Sequence, residues 1–193
     1  MDARVKWDRI YNKAGSNKPT ACSSLIEYQY LLPQSGEALD LACGLGGNAL
    51  LLAQCGLQTT AIDISPVAIG KLQRLATDSG LTVNAVAQSV TADSLGANRY
   101  DVITVSNYFD RELAPAISAA LKPDGLLFYQ TFVNDKTGPD AGPSNPEFLL
   151  KPNELLRLFP ALSIVVYSDL GRVGDTTAGL RNQSFLVGRS VAG

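Results

Sequence analysis

Histidine is absent from the 193 residues of the sequence. Without it the chain has no Ser-His-Asp or Cys-His catalytic arrangement, no histidine ligand for a metal and no histidine general base. Cysteine is also scarce: Cys22, Cys43 and Cys55 are an odd number, and their spacing is not that of a metal site. We therefore expect reduced thiols and no bound metal ion.

Long apolar runs and basic clusters are missing as well. No run approaches the ~20 apolar residues that a membrane span needs, and the N-terminal residues 1–7 lack the apolar stretch of a signal peptide. The formal net charge is −2, with no basic stripe of the kind that binds nucleic acid. We expect a cytoplasmic protein with a small-molecule partner, no nucleic-acid or membrane partner, and a monomeric or weakly homodimeric state.

The most informative stretch is Ala38–Leu50, in which an apolar run carrying only Asp40 breaks into the turn Gly44–Gly47 and a helical pattern follows. Glycines accept positive φ and leave the backbone open to a ligand, and the start of a helix presents free N–H groups. A second predicted strand, Thr59–Ile64, carries Asp63. A carboxylate about 20 residues after such a turn can bind the two hydroxyls of a ribose. The stretch therefore predicts a nucleoside site.

The kind of nucleoside depends on Asp40. Gly44, Gly46 and Ala49 also fit the dinucleotide fingerprint G-x-G-x-x-[GA], which is a weak signal by itself. A pyrophosphate needs N–H donors and positive potential at the turn, so a carboxylate just before the turn disfavours it. An acid there suits the ammonium group of S-adenosylmethionine, which has no phosphate. A nicotinamide-dependent oxidoreductase remains the alternative.

Residues Asp40–Asn48 and Ala61–Pro66 resemble the first two motifs of the class I S-adenosylmethionine-dependent methyltransferases. The resemblance implies S-adenosyl-L-methionine as the cofactor. Its methionine end is expected to meet Asp40, Gly44 and Gly46, and its ribose Asp63. The other expected cofactor residues are Ala42, Asn48, Ile64, Gln88, Ser89 and Asn107.

The end of the third predicted strand departs from the family pattern. Similar methyltransferases place an acid there to accept a hydrogen bond from the adenine amino group, whereas this chain has Gln88 and Ser89. The oxygen of a glutamine can accept the same bond, so Gln88 is the expected adenine residue and Asp93 its rival. The departure also leaves open a protein that binds S-adenosylmethionine without turnover.

The rest of the chain alternates predicted strands and helices, which is an α/β pattern. Strands are predicted over 81–87, 100–106, 126–132, 162–167 and 183–188, and helices over 23–32, 66–79, 112–121 and 152–159. The order matches the Rossmann-like sheet of methyltransferases, with seven mixed strands, helices on both faces and a C-terminal antiparallel β-hairpin. We expect one domain over 1–193, in which 1–33 form an N-terminal lid and helix and 134–150 an active-site loop.

The chain is similar in particular to the small tellurite-resistance and thiopurine-type methyltransferases. The similarity rests on the N-terminal Trp7-Asp8…Tyr11, on Ala38–Gly44, on Asn107–Arg111 and on Asn145–Leu150 ahead of Glu154–Leu156. It implies that the segment with Trp7 and Tyr11, predicted as one helical turn, lies over the active site as a lid. Packing of Trp7 against the edge of the domain is the alternative. Further substrate residues are expected at Tyr129, as a wall, and Asn145.

Strand ends in open parallel sheets are where ligands bind, so Asn107 and Tyr108 should face the methyl group. Arg111 is expected to meet an anionic substrate, or else to pair with Asp110 or Glu112. A thiol or an oxyanion of tellurium or selenium would need no general base, in agreement with the missing histidine. An oxygen or nitrogen acceptor would need Asp110 or Tyr108 as the base.

Overall fold

A computed structural model describes residues 2–15, 18–138 and 142–191 of the protein. Its strands are β1 (Glu37–Leu41), β2 (Gln58–Asp63), β3 (Val83–Ala87), β4 (Tyr100–Ser106), β5 (Leu121–Phe132), β6 (Leu162–Ser168) and β7 (Gln183–Ser190). Its α-helices are α1 (Ala3–Lys13), α2 (Ser23–Glu27), α3 (Gly47–Gln54), α4 (Pro66–Asp78), α5 (Ala92–Leu95), α6 (Ala114–Ala120) and α7 (Glu154–Leu158). Short 3₁₀ helices cover Gln29–Leu31, Arg111–Leu113 and Pro146–Phe148.

The seven strands form one sheet in the order β3-β2-β1-β4-β5-β7-β6. The first five strands in this order are parallel, and β7 runs antiparallel to both β5 and β6. The α/β fold class, the mixed sheet and the antiparallel C-terminal pair are therefore as predicted. Because parallel strands end at the same edge, the carboxyl ends of β1, β2 and β4 lie side by side.

Helices cover both faces of the sheet, as the alternation of side chains along each strand requires. On one face Leu39 and Ile103 pack with Ile117 of α6 and Leu155 of α7. On the other face Ala38, Val102 and Phe128 pack with Leu25 of α2 and Leu52 of α3. Asp40 lies in β1 between Leu39 and Leu41, and its side chain therefore shares the face of α3.

Three predicted elements differ most from the structure. The N-terminal segment is a helix of 11 residues rather than one turn, and Asp2 caps it by accepting from the N–H of Arg4 at 2.9 Å. The predicted helix 23–32 ends at Glu27 and is followed by a 3₁₀ turn over Gln29–Leu31. Leu32 is extended, as expected for the residue before a proline. The strand predicted over 126–132 begins at Leu121 in the structure, and residues 122–125 form a bulge within β5, where the register with β4 shifts.

Residues 139–141 of the expected loop 134–150, together with residues 1, 16, 17, 192 and 193, lie outside the described part. Within the described ranges, none of the helices has both the length and the apolar character that crossing a membrane requires.

Candidate cofactor and active site

The turn between β1 and α3 needs glycine for geometric reasons. Gly44 and Gly46 have φ of 54° and 82°, and Gly46 is the N-cap of α3. A Cβ built on Gly44 would lie 2.8 Å from the hydroxyl oxygen of Tyr11. Any larger residue at position 44 would therefore be strained and would also push the Tyr11 hydroxyl aside.

Asp40 lies beneath this turn rather than on a cavity wall. Its side chain is 0% exposed. One carboxylate oxygen accepts from Asn48 Nδ2 at 3.2 Å and Thr104 Oγ1 at 3.0 Å, and the other accepts from the N–H of Ala49 at 3.0 Å. Burial raises the pKa of Asp40 to about 6, although these hydrogen bonds oppose the shift. The position contradicts the prediction that Asp40 meets the ammonium group, because its oxygens face α3 and β4.

Asp63, at the end of β2, does reach the cavity. Its oxygens accept from the N–H of Gly44 and the N–H of Ser65, both at 2.8 Å. Burial raises the pKa of Asp63, and nearby Asp8 adds to the effect. Each carboxylate oxygen has a second lone pair, so the side chain can still accept hydrogen bonds from a ligand.

One cavity of about 490 Å³ opens above the carboxyl ends of β1, β2 and β4. Ligand sites in proteins commonly have volumes of about 300–1,000 Å³. The lining residues are Ala3, Trp7, Tyr11, Pro19, Thr20, Ala42, Cys43, Gly44, Leu45, Gly46, Gly47, Asn48, Asp63, Ile64, Ser89, Val90, Ser106, Asn107 and Tyr108. Most of the residues predicted from the sequence are thus brought together around one space.

Helix α1 closes one side of this cavity with Trp7 and Tyr11, whose rings stack at 5.6 Å between centroids. No described side chain of α1 is buried. The hydroxyl of Ser65 donates to Asp8, and Nζ of Lys71 donates to the backbone oxygens of Tyr11 at 2.7 Å and Ala14 at 2.8 Å. The helix is therefore attached to α4 by polar contacts.

The end of β4 supplies the polar part of the cavity. Ser106 Oγ accepts from Asn48 Nδ2 at 2.9 Å, and Asn107 has a φ of 55°. Burial, together with Asp110, raises the pKa of Tyr108 to about 12. The Tyr108 phenol is consequently neutral near pH 7 and cannot act there as a phenolate base.

Several residues predicted for the site, besides Asp40, do not line the cavity. Gln88 and Asp93 are exposed, and Ser89 and Val90 line the cavity instead. Asn145 is exposed, and its side-chain oxygen accepts from the N–H of Glu147 at 3.0 Å as the cap of a 3₁₀ helix.

Arg111 does not face the cavity either. Its Nε donates to Glu154 Oε1 at 2.7 Å, and its Nη1 donates to the backbone oxygen of Glu147 at 2.8 Å. The partner is thus neither an anionic substrate nor the adjacent Asp110 or Glu112. The reason is geometric: the planar guanidinium matches a carboxylate that the start of α7 places opposite it. Asp110 itself caps the 3₁₀ helix by accepting from the N–H of Glu112 at 3.0 Å.

Tyr129 belongs to the core instead of the cavity wall, with 2% exposure and its ring 5.5 Å from that of Phe159. Its hydroxyl donates to the backbone oxygen of Tyr108 at 3.2 Å. It therefore supports the backbone beside the cavity without reaching it. The described parts of the loop, 134–138 and 142–150, are not among the lining residues.

Sequence reasoning missed several lining residues, notably Thr20, Cys43, Val90 and Ser106. Ser106 and Val90 follow strand ends, so the rule that ligands bind at strand ends could have included them. Thr20 carries no local signal, and only the tertiary fold brings its backbone against Gly47. In the described part of the chain, no group of three or more Cys, Asp or Glu side chains is arranged to hold a metal ion.

The cavity suits S-adenosylmethionine chemically. A positive-φ glycine turn leaves backbone open to a methionine chain, and Asp63 keeps lone pairs for ribose hydroxyls. Ser89 and Val90 offer a polar and an apolar contact at the third strand end. We found no cationic side chain lining the cavity among the described residues, which agrees with a ligand that carries no phosphate.

Comparison with known proteins places the same region in a family. Residues 38–125 match a family model described as a methyltransferase domain. A curated relative, the ubiquinone biosynthesis O-methyltransferase of Xanthomonas axonopodis pv. citri (strain 306), is 30% identical over 138 residues, which cover 64% of this chain and 56% of that protein. The protein of the same name from Coxiella burnetii (strain Dugway 5J108-111) is 28% identical over 130 residues, covering 63% and 56%.

Solved structures share the fold. TehB from Haemophilus influenzae superposes with a TM-score of 0.69 at 17% identity, covering 97% of this chain and 66% of that one. A structure described under the conversion of a disulfide bond into a thioacetal group during echinomycin biosynthesis gives 0.70 at 20% identity, covering 98% and 93%. The chain spans just over half the length of its curated relatives. These matches support a class I S-adenosylmethionine-dependent methyltransferase with S-adenosyl-L-methionine as its cofactor.

Proposed function

We propose that the protein transfers a methyl group from S-adenosyl-L-methionine to a small molecule whose accepting atom is already nucleophilic near neutral pH. The observation that carries the proposal is the cavity in which the glycine turn, Asp63 and the polar end of β4 meet. The curated relatives are named as O-methyltransferases, which supports methyl transfer as the reaction.

In this proposal different lining residues contact different parts of the cofactor. Asp63 accepts from the ribose hydroxyls, Gly44 and Gly46 contact the methionine chain, and Ser89 lies at the adenine. Ala42, Asn48 and Ile64 complete the wall around the cofactor. Asp40 acts indirectly, because its hydrogen bonds to Asn48 and Ala49 fix the start of α3.

The cofactor supplies an electrophilic methyl group on a sulfonium: the acceptor forms a bond to the methyl carbon, and the electron pair of the broken C–S bond stays on sulfur. The protein must align the acceptor with that methyl group, and positioning of this kind can contribute about 7–11 kcal/mol. Asn107 and Tyr108 lie where the acceptor would sit. Trp7 and Tyr11 on α1 exclude water from the same space.

The acceptor class follows from the titratable groups at the cavity. The pKa of Tyr108 is raised to about 12, and burial raises the pKa of the Cys43 thiol well above its ordinary value. Asp63 already accepts from two backbone N–H groups, and Asp110 caps a 3₁₀ helix. Asp63 is the one acid that lines the cavity among the described residues, and Asp110 does not reach it. This favours thiolates, acidic phenolates and oxyanions of tellurium or selenium over alcohols and amines.

Two measurements test the proposal. Calorimetric titration with S-adenosylmethionine, S-adenosylhomocysteine and NADH should give binding of the first two only. Transfer of labelled methyl from S-adenosylmethionine should then be followed with a thiophenol, a catechol, tellurite, selenite, an alcohol and an amine. Binding of NADH alone would indicate an oxidoreductase, and cofactor binding without transfer to any acceptor would indicate a protein that only binds. Transfer to the alcohol or amine alone would contradict the acceptor class.

A further inference from the structure

A chain of side-chain amides leads from α2 to the cavity and ends at Asn107. The side-chain oxygen of Asn107 accepts from Gln183 Nε2 at 2.5 Å. The oxygen of Gln183 accepts from Gln130 Nε2 at 2.6 Å. The oxygen of Gln130 in turn accepts from the backbone N–H of Ser24 at 2.9 Å and from the hydroxyl of Ser23 at 3.2 Å.

The direction of every bond in this chain is fixed at Ser24. A backbone N–H can only donate, so it must face the oxygen of Gln130, and Gln130 must then present its NH₂ group to Gln183. The same reasoning orients Gln183 and finally Asn107, since amide orientation is set by the hydrogen-bond network. Gln130 is 4% exposed, and unpaired buried amides are unfavourable.

The consequence at the cavity is a defined donor. Gln183 occupies the oxygen of Asn107, and the end left over is its Nδ2 group. The backbone N–H of Asn107 donates to the backbone oxygen of Gln130 at 2.9 Å, which further limits movement of the residue. Asn107 lines the cavity beside Tyr108.

We propose that this chain of Ser24, Gln130, Gln183 and Asn107 presents Nδ2 of Asn107 as a hydrogen-bond donor to a carbonyl or carboxylate oxygen of the bound ligand. The proposal rests on the proposed function, because the ligand is the methyl acceptor or the amino-acid end of the cofactor. Asn107 touches the ligand, and Gln130 and Gln183 are positioning residues. Ligands that offer only a donor at this place are selected against, since two donors would then face each other.

The substitution Gln130→Glu tests the direction of the chain without altering a residue at the cavity. One oxygen of the new carboxylate accepts from Ser24, and the other can only accept from Gln183. Gln183 must then turn its NH₂ group towards position 130 and its oxygen towards Asn107. Asn107 turns in response, so that its oxygen replaces its NH₂ group in the cavity.

The orientation can be read without any ligand. In uniformly ¹⁵N,¹³C-labelled wild type, NMR coupling across the hydrogen bond should join Gln183 Nε2 to the side-chain carbonyl carbon of Asn107, Cγ. In Gln130→Glu the coupling should instead join Asn107 Nδ2 to the side-chain carbonyl carbon of Gln183, Cδ. Lowering the pH should restore the wild-type direction, because a protonated carboxyl can donate as an amide does. Unchanged coupling in the variant would overturn the proposal.

The ligand that meets Asn107 is identified by titration. S-adenosylhomocysteine carries the carboxylate and 5′-methylthioadenosine lacks it. If the cofactor is the partner, Gln130→Glu weakens the binding of S-adenosylhomocysteine by about tenfold or more. The affinity for 5′-methylthioadenosine is then unchanged. If the methyl acceptor is the partner, neither titration changes and the KM of the acceptor rises instead. Asn107→Asp should reproduce the effect, and the two substitutions together should add little to either.

Gln54 is exposed, and the control substitution Gln54→Glu introduces the same negative charge there. It should change neither the affinity for either nucleoside nor the KM of the acceptor. Equal weakening of both nucleosides would mean general damage to the site and would overturn the proposal, as would unchanged binding together with an unchanged KM. Failure of the proposed function has a different signature, namely wild-type protein that binds no S-adenosylhomocysteine. In that case no ligand carboxylate or methyl acceptor is recognised, and the role of Asn107 falls too, whereas the NMR result still reports the direction of the chain.

Discussion

Lys71 of α4 donates from Nζ to the backbone oxygen of Tyr11, 2.7 Å away near the last turn of α1. A cation at the C-terminal end of a helix is favourable because the carbonyl groups there are unpaired and carry partial negative charge. Since α1 has no buried residue in the described structure, this contact and the one between Ser65 and Asp8 carry much of its attachment. Segments with few buried contacts open locally at low free energy.

The substitution Lys71→Met should therefore loosen α1. We expect faster hydrogen exchange over residues 3–13 and roughly tenfold weaker binding of S-adenosylhomocysteine, because hydrogen bonds to charged groups contribute about 1.5 kcal/mol or more. Lys122→Met is the matched control, since Lys122 pairs with Asp101 at 2.7 Å near the opposite edge of the sheet. Equal effects from both variants would show that α1 is not the cause.

Asp63→Asn should weaken S-adenosylhomocysteine binding by about 10- to 100-fold, measured by calorimetry. The variant loses a charged acceptor at the ribose, and such hydrogen bonds are worth about 1.5–3 kcal/mol. Asp93→Asn is the control, because Asp93 is exposed and does not line the cavity. An affinity of Asp63→Asn within a factor of about two of wild type would contradict the ribose assignment.

Arg111→Lys should lower stability and leave cofactor binding unchanged. Lysine keeps the charge but cannot reproduce the fork that meets Glu154 and the backbone oxygens of Glu147 and Leu149. The side chain of Arg111 is 37% exposed, so we expect a loss of only about 1–2 kcal/mol in urea unfolding.

Arg172→Lys provides the comparison for Arg111. Arg172 pairs with Asp135, and its side chain is 69% exposed, so its substitution should change stability by less than about 0.5 kcal/mol. If Arg111→Lys instead raised the KM of an anionic acceptor at unchanged stability, Arg111 would be a substrate residue after all.

Asp40 should make stability depend on pH with a distinctive sign. Burial raises its pKa to about 6, so in this range the folded protein binds a proton that the unfolded chain releases. The stabilisation from this group is fully present below the ordinary pKa of about 3.9 and is lost as pH rises through about 6. The free energy of unfolding of wild type relative to Asp40→Asn should therefore fall between these pH values and stay constant above.

Asp101→Asn should give the opposite pH dependence when the free energy of unfolding is measured by urea titration at the same pH values. Although burial opposes it, the hydrogen bonds from Lys122 and from the N–H of Glu37 lower the pKa of Asp101. Its stabilisation is present above the ordinary pKa and is lost as pH falls. A difference between wild type and Asp40→Asn that did not vary with pH would mean that folding does not shift the pKa of Asp40.

Local signals explain what could be read from the sequence. The Gly44–Gly47 turn, the cap of α4 by Ser65 with Pro66 behind it and Asp63 at the end of β2 all follow from residues a few positions apart. Their φ preferences, caps and apolar periods act within one element. The sheet, the family and the cofactor followed from those elements together with the resemblance they carry.

Contacts between distant residues were decided only by the tertiary structure. Asp40 looked available to a ligand, yet packing against α3 and β4 buried it and used its oxygens. Arg111 pairs with Glu154, 43 positions away, rather than with a neighbour in sequence. No local pattern marks such partners, because they become adjacent only when the helices and strands pack.

The amide chain shows the same division. The sequence by itself determined that Asn107 follows a strand and stands where ligands bind. Which end of its amide faces the cavity depends on Gln183, on Gln130 and ultimately on the N–H of Ser24, 106 positions from Gln130. Side-chain hydrogen bonds are directional, and their direction is fixed only when every partner has a place.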